Sequence, residues 1–595
     1  MRRGVRRFPL VLALCGLFLA PAAPVRAARP LPLPPPLPLA ALYDNAAHTD
    51  LDGAGNALPA DDLAAAGWTP GRELNVDGAR LTWPRRPPGA PDAPDAPDAP
   101  DAPDNVRAAG QAVRLGGRGD ALAFLATGTA GTTVDGVGTV RYTDGSTSGY
   151  RLTVPDWRTG PLGAKALAVA HIDTPGGRIA ERARLYVVTV PLVRGRAVAS
   201  VRLPLAPDLH VFALAVREAA PGWTGSWAAS ASGLPAVGPW TDRTLRLVVH
   251  TSAGGPRVRL RFANPFASAP VRIGAATVAP RAADAVARAV PVPLSFGGRA
   301  DVEVPAGAQA VSDPLAFAVP AGADLLVSLH LPGTVTSAPS HTLAVQRSYL
   351  SEPGDHTADP AGTAYGTTVT TWPLLTGVDV GGGPGAVVLL GDSITDGDRS
   401  TTDTNRRWPD ALAARLRAQD AVPRYGVLNA GISANRVVGD RYPGDGVSAV
   451  AGGVSAVHRL DRDVLAQTSV RTLIVFEGIN DVRGGTTAAE VTAGLREIAG
   501  RARAHGVRVL GATLLPCGGS ARYTAAMEAE RTAVNAWIRE AGAIGTFDGV
   551  LDLDRALRDP AAPARMLPGY DSGDHLHPGD AGYAALAESV DLALL

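Results

Sequence analysis

Lysine is almost missing from this 595-residue chain, since Lys165 stands alone among 56 basic residues. The 56 acidic residues cancel that charge, which leaves no overall field to recruit nucleic acid or an anionic membrane. Cysteine occurs only as Cys15 and Cys517, and aromatics make up 5% of the chain. Long apolar runs are also scarce. Leu10 to Ala20 is one, too short to cross a bilayer, and it follows Arg2, Arg3, Arg6 and Arg7. With small or apolar residues at Val25-Arg26-Ala27, residues 1–27 read as a secretory signal, with the mature chain starting at Ala28 and an extracellular destination. Leu14 before Cys15 is the wrong residue for a lipoprotein signal. Removing the signal leaves Cys517 alone, so no intramolecular disulfide is expected, nor any stable membrane insertion.

What is abundant is Gly, Pro and Ala. An apolar content of 46% with 19% charged residues describes globular domains, and the length suggests roughly three or four of them. Residues 28–43 read as a linker, in which Arg-Pro-Leu-Pro-Leu-Pro-Pro-Pro-Leu-Pro-Leu at 29–39 favours polyproline II. Residues 44–217 carry short alternating runs such as Leu122 to Leu125, Val140 to Thr143 and Leu185 to Val190, with an Asp144-Gly145 turn. This pattern predicts a β-sandwich, interrupted by an exposed Pro-Asp-Ala repeat from Pro91 to Asp104. Asp50, Asp52 and Asn56 have a calcium-loop-like spacing but lack the distal glutamate, so they are expected to shape a loop.

Residues 218–375 repeat the alternation at Leu245, Leu247 and Val249, and again at Val327, Leu329 and Leu331, predicting a second sandwich. Val258, Leu260 and Phe262 alternate with Arg257, Arg259 and Arg261. The arginine row is expected to be a solvated sheet face, with an acidic ligand as the alternative. Trp223, Trp227 and Trp240 could stack on sugars or pack between domains.

From Thr376 to the end, strands alternate with helices. The segments Gly426 to Leu428, Leu473 to Phe476, Val507 to Leu515 and Val550 to Leu553 read as strands. Pro409 to Ala418, Ala488 to Ala504, Thr524 to Arg539 and the stretch from Ala581 read as helices, which together imply a parallel sheet wrapped on both faces. The run Val387-Val388-Leu389-Leu390 is a strand buried on both faces, ending at Gly391-Asp392-Ser393. Gly381 to Gly385 precedes that strand instead of following it, so a nucleotide site is rejected. Ser393 sits at a carboxyl strand end, where open α/β sheets bind ligands.

A serine hydroxyl needs a base, and the base needs an acceptor that fixes its tautomer. Asp571-Ser572-Gly573-Asp574-His575-Leu576-His577-Pro578 offers both. Asp574 and His577 lie on the order of 10 Å apart if extended, so the segment must turn, which Gly573 permits. His575 is the rival base. Asn429 to Asn435 and Glu477 to Asp481 follow two other strands. There the N–H groups of Ser393 and Gly431 and the amide of Asn480 could hold an oxyanion. Cys517 has no evident base and reads as a quiet thiol.

These four segments resemble the SGNH/GDSL hydrolase superfamily over roughly 376–595. Gly391-Asp392-Ser393-Ile394-Thr395 looks like its first block, Gly431 its second, Asn480 its third, and Asp574 with His577 its last. The resemblance implies Ser393 as nucleophile, His577 as base, Asp574 as orienting acid, and Ser393, Gly431 and Asn480 as oxyanion donors. It also implies a three-layer α/β/α, flavodoxin-like fold with no metal or cofactor. The α/β-hydrolase elbow Gly-x-Ser-x-Gly is absent around Ser393. A β-rich segment before such a domain is similar to secreted arylesterases and acetylxylan esterases. Residues 44–217 resemble all-β modules of secreted bacterial glycoside-degrading enzymes, through Leu51-Asp52-Gly53-Ala54-Gly55 and Leu81-Thr82-Trp83-Pro84. The expected substrate is therefore an ester, foremost O-acetyl groups on a polysaccharide. The alternatives are small or lipid esters, or a carbohydrate-binding protein with a vestigial hydrolase domain.

Overall fold

The computed structural model describes residues 35–85, 102–444 and 446–595. Residues 1–27, read as a secretory signal, the first part of the proline-rich linker and most of the Pro-Asp-Ala repeat lie outside the described residues. The linker's end turns into a short 3-10 helix at Leu39–Leu42, and Leu37 pairs with the sheet at Ala112 and Arg114. The region up to residue 218 is built on an eight-stranded antiparallel sheet whose longest strands are Ala112–Gly128 and Leu205–Glu218. Leu122, Phe124 and Ala126 point into one core while Ala123 and Leu125 point into another. The two-residue repeat of a strand thus feeds two apolar layers from one run.

The next region pairs a seven-stranded sheet around Trp240–His250 and Asp324–Val335 with a five-stranded sheet around Gly255–Ala263. Leu245, Leu247 and Val249 from one meet Val258, Leu260 and Phe262 from the other in a single core. The strand Leu375–Gly381 lies in that five-stranded sheet, between Trp223–Ala228 and Gly255–Ala263. The change of texture at Thr376 therefore falls inside a strand of the antiparallel region, and the parallel sheet begins only after the glycine turn that follows.

That parallel sheet has strands β1 (Ala386–Gly391), β2 (Gly426–Gly431), β3 (Val470–Phe476), β4 (Arg508–Ala512) and β5 (Gly549–Leu551). Their order is β2-β1-β3-β4-β5, so the winding reverses beside β1. In an open α/β sheet that reversal leaves a crevice at the carboxyl ends, where Ser393 follows β1. Helix α1 (Ser393–Asp396) starts the crossover, and α2 (Trp408–Arg417) continues it. Helices α3 (Ile479–Arg483), α4 (Ala488–Ala504), α5 (Ala525–Ala543) and α6 (Asp580–Glu588) complete the wrapping, with α2 against α6 and α4 against α5. A capping box between Thr487 and Glu490 starts α4 where the periodicity placed it.

The arginine row departs from expectation. Arg261 is buried, and Arg259 and Arg261 both pair with Asp379 at 3.0 and 3.2 Å. Their sheet face is covered by the segment 466–468, to which Arg261 and Arg259 also donate hydrogen bonds. Alternation alone cannot tell a face covered by another part of the chain from a wet one. Trp223, Trp227 and Trp240 are buried, Trp227 edge-on to Trp372 at 5.0 Å, so none offers an open stacking face. Asp50 and Asp52 accept hydrogen bonds from the backbone N–H groups of Gly53, Gly55 and Ala54, shaping a turn as expected. Among the described residues no helix is long and apolar enough to cross a membrane, and no group of His, Cys, Asp or Glu could hold a metal ion.

Candidate active site

Asp392 caps α1, its side chain accepting from Ile394 N–H at 2.9 Å. Gly391 is required where it stands, because a Cβ would overlap Thr395 and the carbonyl of Phe476. The cap and the close approach set Ser393 at the head of the turn. Its Oγ lies 2.8 Å from His577 Nε2, and both residues are buried. His577 Nδ1 lies 2.8 Å from Asp574 Oδ2. A carboxylate only accepts, so Nδ1 carries the proton and Nε2 is free to accept from the serine.

The turn foreseen at Gly573 is present, with φ +101°, and Asp574 Oδ1 accepts from the N–H groups of Leu576 and His577 at 2.9 and 2.8 Å. Burial tends to raise the Asp574 pKa. Hydrogen bonds from the His577 N–H, its ring and the Leu576 N–H overcome that and hold the carboxyl well below the usual range. His575 is exposed and turned away, its Nδ1 2.5 Å from Asp571 Oδ2, so it does not join Ser393.

Gly431 ends β2 hard against α1, since a Cβ there would overlap Asp396 N. Its N–H donates to Asn429 Oδ1 at 2.8 Å, and Asn429 Nδ2 donates to Thr395 O at 2.9 Å. Asn480, in the first turn of α3, donates one Nδ2 hydrogen to Asn435 O at 3.0 Å and keeps the second. The structure thus brings Ser393, His577 and Asp574 into one chain of hydrogen bonds. It puts Gly431 next to α1, with its N–H engaged by a side chain.

Several residues of the site gave no signal in the sequence. Arg459 is fully buried and donates to the carbonyls of Gly391 and Ala430 and to Asn435 Oδ1, tying together the ends of β1 and β2 and the loop that receives Asn480. Its charge faces Asp463 at 3.3 Å and Glu477 at 3.8 Å. Burial and the neighbouring Asp392 push Glu477 well above the usual carboxylate range, and burial raises Asp392 to about 6. His341, from the antiparallel region, bonds Asp396 Oδ1 at 2.9 Å, while Asp396 Oδ2 accepts from Ser433 N–H at 2.8 Å. Arg399 Nε lies 3.2 Å from Asp574 Oδ2, and Asp398 Oδ2 lies 3.7 Å from His577 Nε2. A sequence pattern could have flagged only Asp396, Asp398 and Arg399, by nearness to Ser393. Cys517 is buried, with burial pushing its thiol up to about 11, and stays outside the site.

Residues 389–585 match the family described as GDSL-like lipase/acylhydrolase. A search of curated proteins returned no match. Among solved structures, the chain is similar to a GDSL-like lipase from Bacteroides thetaiotaomicron VPI-5482 (17% identity, 35% of this chain, 87% of the other, TM-score 0.27). It is similar to a member of the lipolytic G-D-S-L family from Veillonella parvula DSM 2008 (17%, 34%, 94%, TM-score 0.26). An acetyl xylan esterase is matched at 18% identity over 34% of this chain and 96% of its own, with TM-score 0.27.

Proposed function

Residues 389–585 are a GDSL-like lipase/acylhydrolase domain, an ester-hydrolase family, and from that premise we propose that the chain cleaves carboxylic esters by a Ser-His-Asp acyl-enzyme route. The observation that carries the reading is the unbroken relay Ser393 Oγ, His577, Asp574, with 2.8 Å at each step. In it, His577 Nε2 takes the Ser393 proton as Oγ attacks the ester carbonyl. Asp574 steadies the imidazolium that forms. The oxyanion is held by the Ser393 N–H and the second Asn480 amide hydrogen, and by the Gly431 N–H once the Asn429 side-chain Oδ1 yields it. His577 then protonates the departing alkoxide. Water, deprotonated by the same nitrogen, releases the acid and returns the proton to Ser393.

The substrate class we propose is an O-acetylated polysaccharide, and the setting extracellular. Three things support this: the signal-like residues 1–27, the strand-rich region ahead of the hydrolase domain, and its resemblance to modules of glycoside-degrading enzymes. The test is acetate release across a panel of acetylated polysaccharides, with p-nitrophenyl acetate and p-nitrophenyl palmitate as small and lipid-like esters. Release from a glycan that vanishes in Ser393→Ala is expected. Turnover of the palmitate ester alone would move the substrate class to lipids, and inertness toward every ester would return the chain to a binding role.

A further inference from the structure

The antiparallel regions and the hydrolase domain border a cavity of about 560 Å³, lined by Asn75, Arg80, residues 216–221, Arg259, Arg261, residues 465–471 and His505 among others. It lies away from Ser393. Val470, on its wall, begins β3, whereas Asn480 follows the far end of that strand. Seven residues at ~3.3 Å each put roughly 20 Å between the two ends.

The charge around this cavity is one-sided. Although the chain carries no net charge, six guanidinium groups line the wall: Arg80, Arg194, Arg217, Arg259, Arg261 and Arg471. Against them stand Asp120 and Glu218 on the wall, Asp379 beneath it, and Asp77 and Asp461 behind Arg217, so the positive excess belongs to the wall itself. His505 is neutral, since burial and the neighbouring Arg217 lower its pKa to about 4. Asp379 serves two arginines at once, and Asp120 serves Arg217, whose Nη1 keeps no partner. Among the described residues the side chains of Arg194 and Arg471 donate only to backbone carbonyls, and the Arg80 guanidinium has no hydrogen bond or ion pair. No carboxylate of the described residues claims Arg80, Arg194 or Arg471, so an incoming anion would have none to displace from them. The remaining lining includes Asn75 and Gln309, bonded to each other, with Gln467 accepting from Arg261 and Thr468 donating to Asp379; their unused donors and acceptors suit hydroxyls.

We propose that this cavity binds a small anion bearing hydroxyl groups, a sugar acid or a sugar phosphate. Guanidinium groups would grip its carboxylate or phosphate, and the amides its hydroxyls. Arg80, Arg194 and Arg471 are exposed and form the mouth, while Arg217 and Arg261 form the floor.

The experiment is isothermal titration calorimetry on the full chain carrying Ser393→Ala, so that no ester turnover intrudes. The probes are glucuronate, glucose 6-phosphate, inorganic phosphate and neutral glucose. At low salt one of the two sugar anions is expected to bind at least tenfold more tightly than glucose, and to weaken as NaCl rises. Glucuronate as the tighter ligand would place a carboxylate in the site, and glucose 6-phosphate a phosphate. Adding Arg80→Ser with Arg471→Ser should cost tenfold or more in affinity, and Arg261→Gln more still. If Arg261→Gln fails to fold, the exposed pair decides the matter alone. Absence of binding by both sugar anions, equal binding of glucose, an unchanged affinity in the double variant, or inorganic phosphate binding as tightly as glucose 6-phosphate would each overturn the proposal. Because Ser393 is already removed, none of these outcomes depends on esterase activity.

Discussion

At the scale of single residues, two histidines separated by one position face different fates. His577 receives Ser393 and is anchored by Asp574, whereas His575 is exposed and bound to Asp571. Removing a member of a working relay typically costs about 10⁴-fold or more in turnover. Ser393→Ala and His577→Ala are therefore expected to lose at least that much p-nitrophenyl acetate hydrolysis. His575 has φ +61°, a left-handed conformation that asparagine tolerates better than alanine. His575→Asn should then keep activity within about twofold, and a collapse in that variant would reassign the base. The relay was legible in the sequence because it depends on local chemistry: a carboxylate three residues before a histidine, and a glycine just ahead of the carboxylate to let the chain turn. The hold of Asn429 on the Gly431 N–H was not legible, because a two-residue side-chain return looks like any other Asn-x-Gly turn.

At the scale of elements, α1 is too short to hold itself in place. Its position rests on Asp396, which is pinned from one side by Ser433 N–H and from the other by His341. His341 Nδ1 faces the carbonyl of Ser230 at 2.9 Å, and Nε2 faces the carbonyl of Leu343 and the carboxylate. All three are acceptors, so both ring nitrogens must carry protons and the ring is a buried imidazolium. Burial opposes that charge. The Asp396 carboxylate, with the two carbonyls, outweighs it and raises the His341 pKa above its ordinary value. Breaking such a pair strands a buried charge, typically at a cost of about 3–5 kcal/mol. The sign with pH follows. A folded value above the unfolded ~6.5 stabilises fully below that pH, and the contribution fades as pH rises through the folded value. His341→Gln is expected to lower the melting temperature most at pH 6, with the gap to wild type narrowing as pH climbs toward 10. A gap that stays constant or widens would mean the ring is neutral. The four long helices of this domain were readable from their apolar pattern, whereas short ones such as α1 and α3 were not. This brace was not, because nothing in the pattern around residue 341 points to a partner 55 positions away.

At the scale of the whole molecule, the strand-rich texture and the alternating strand–helix texture were both plain in the sequence, but the surface they share was not. Alternation marks one face of a strand as apolar and leaves open what lies on the other, which is why Arg259 and Arg261 looked like wet residues. Gly225 and Gly426 come so close that a side chain on Gly426 would overlap the Gly225 carbonyl. Ala228 sits in the core of the parallel sheet. Val427 N–H donates to Ser252 Oγ at 2.8 Å, Thr189 Oγ1 to Asp461 at 2.6 Å, and Arg407 to the carbonyl of Ala344 at 2.8 Å. Cutting the chain before residue 376 would strip every one of these partners. It would also leave Asp396 without His341 and remove the neighbours of the strand Leu375–Gly381. A group that stays shielded from water costs about 1–3 kcal/mol, and the apolar surface bared by the cut costs about 25 cal/mol per Å², against a typical stability of about 5–15 kcal/mol for a whole domain. The isolated segment 376–595 is therefore expected to be expressed as an aggregating or dye-binding species, without a cooperative urea transition, while the chain from residue 36 onward unfolds cooperatively. A fragment with the same urea midpoint and the same p-nitrophenyl acetate turnover as the longer chain would show that the antiparallel regions are passengers. The brace at His341 would then contribute nothing to the site.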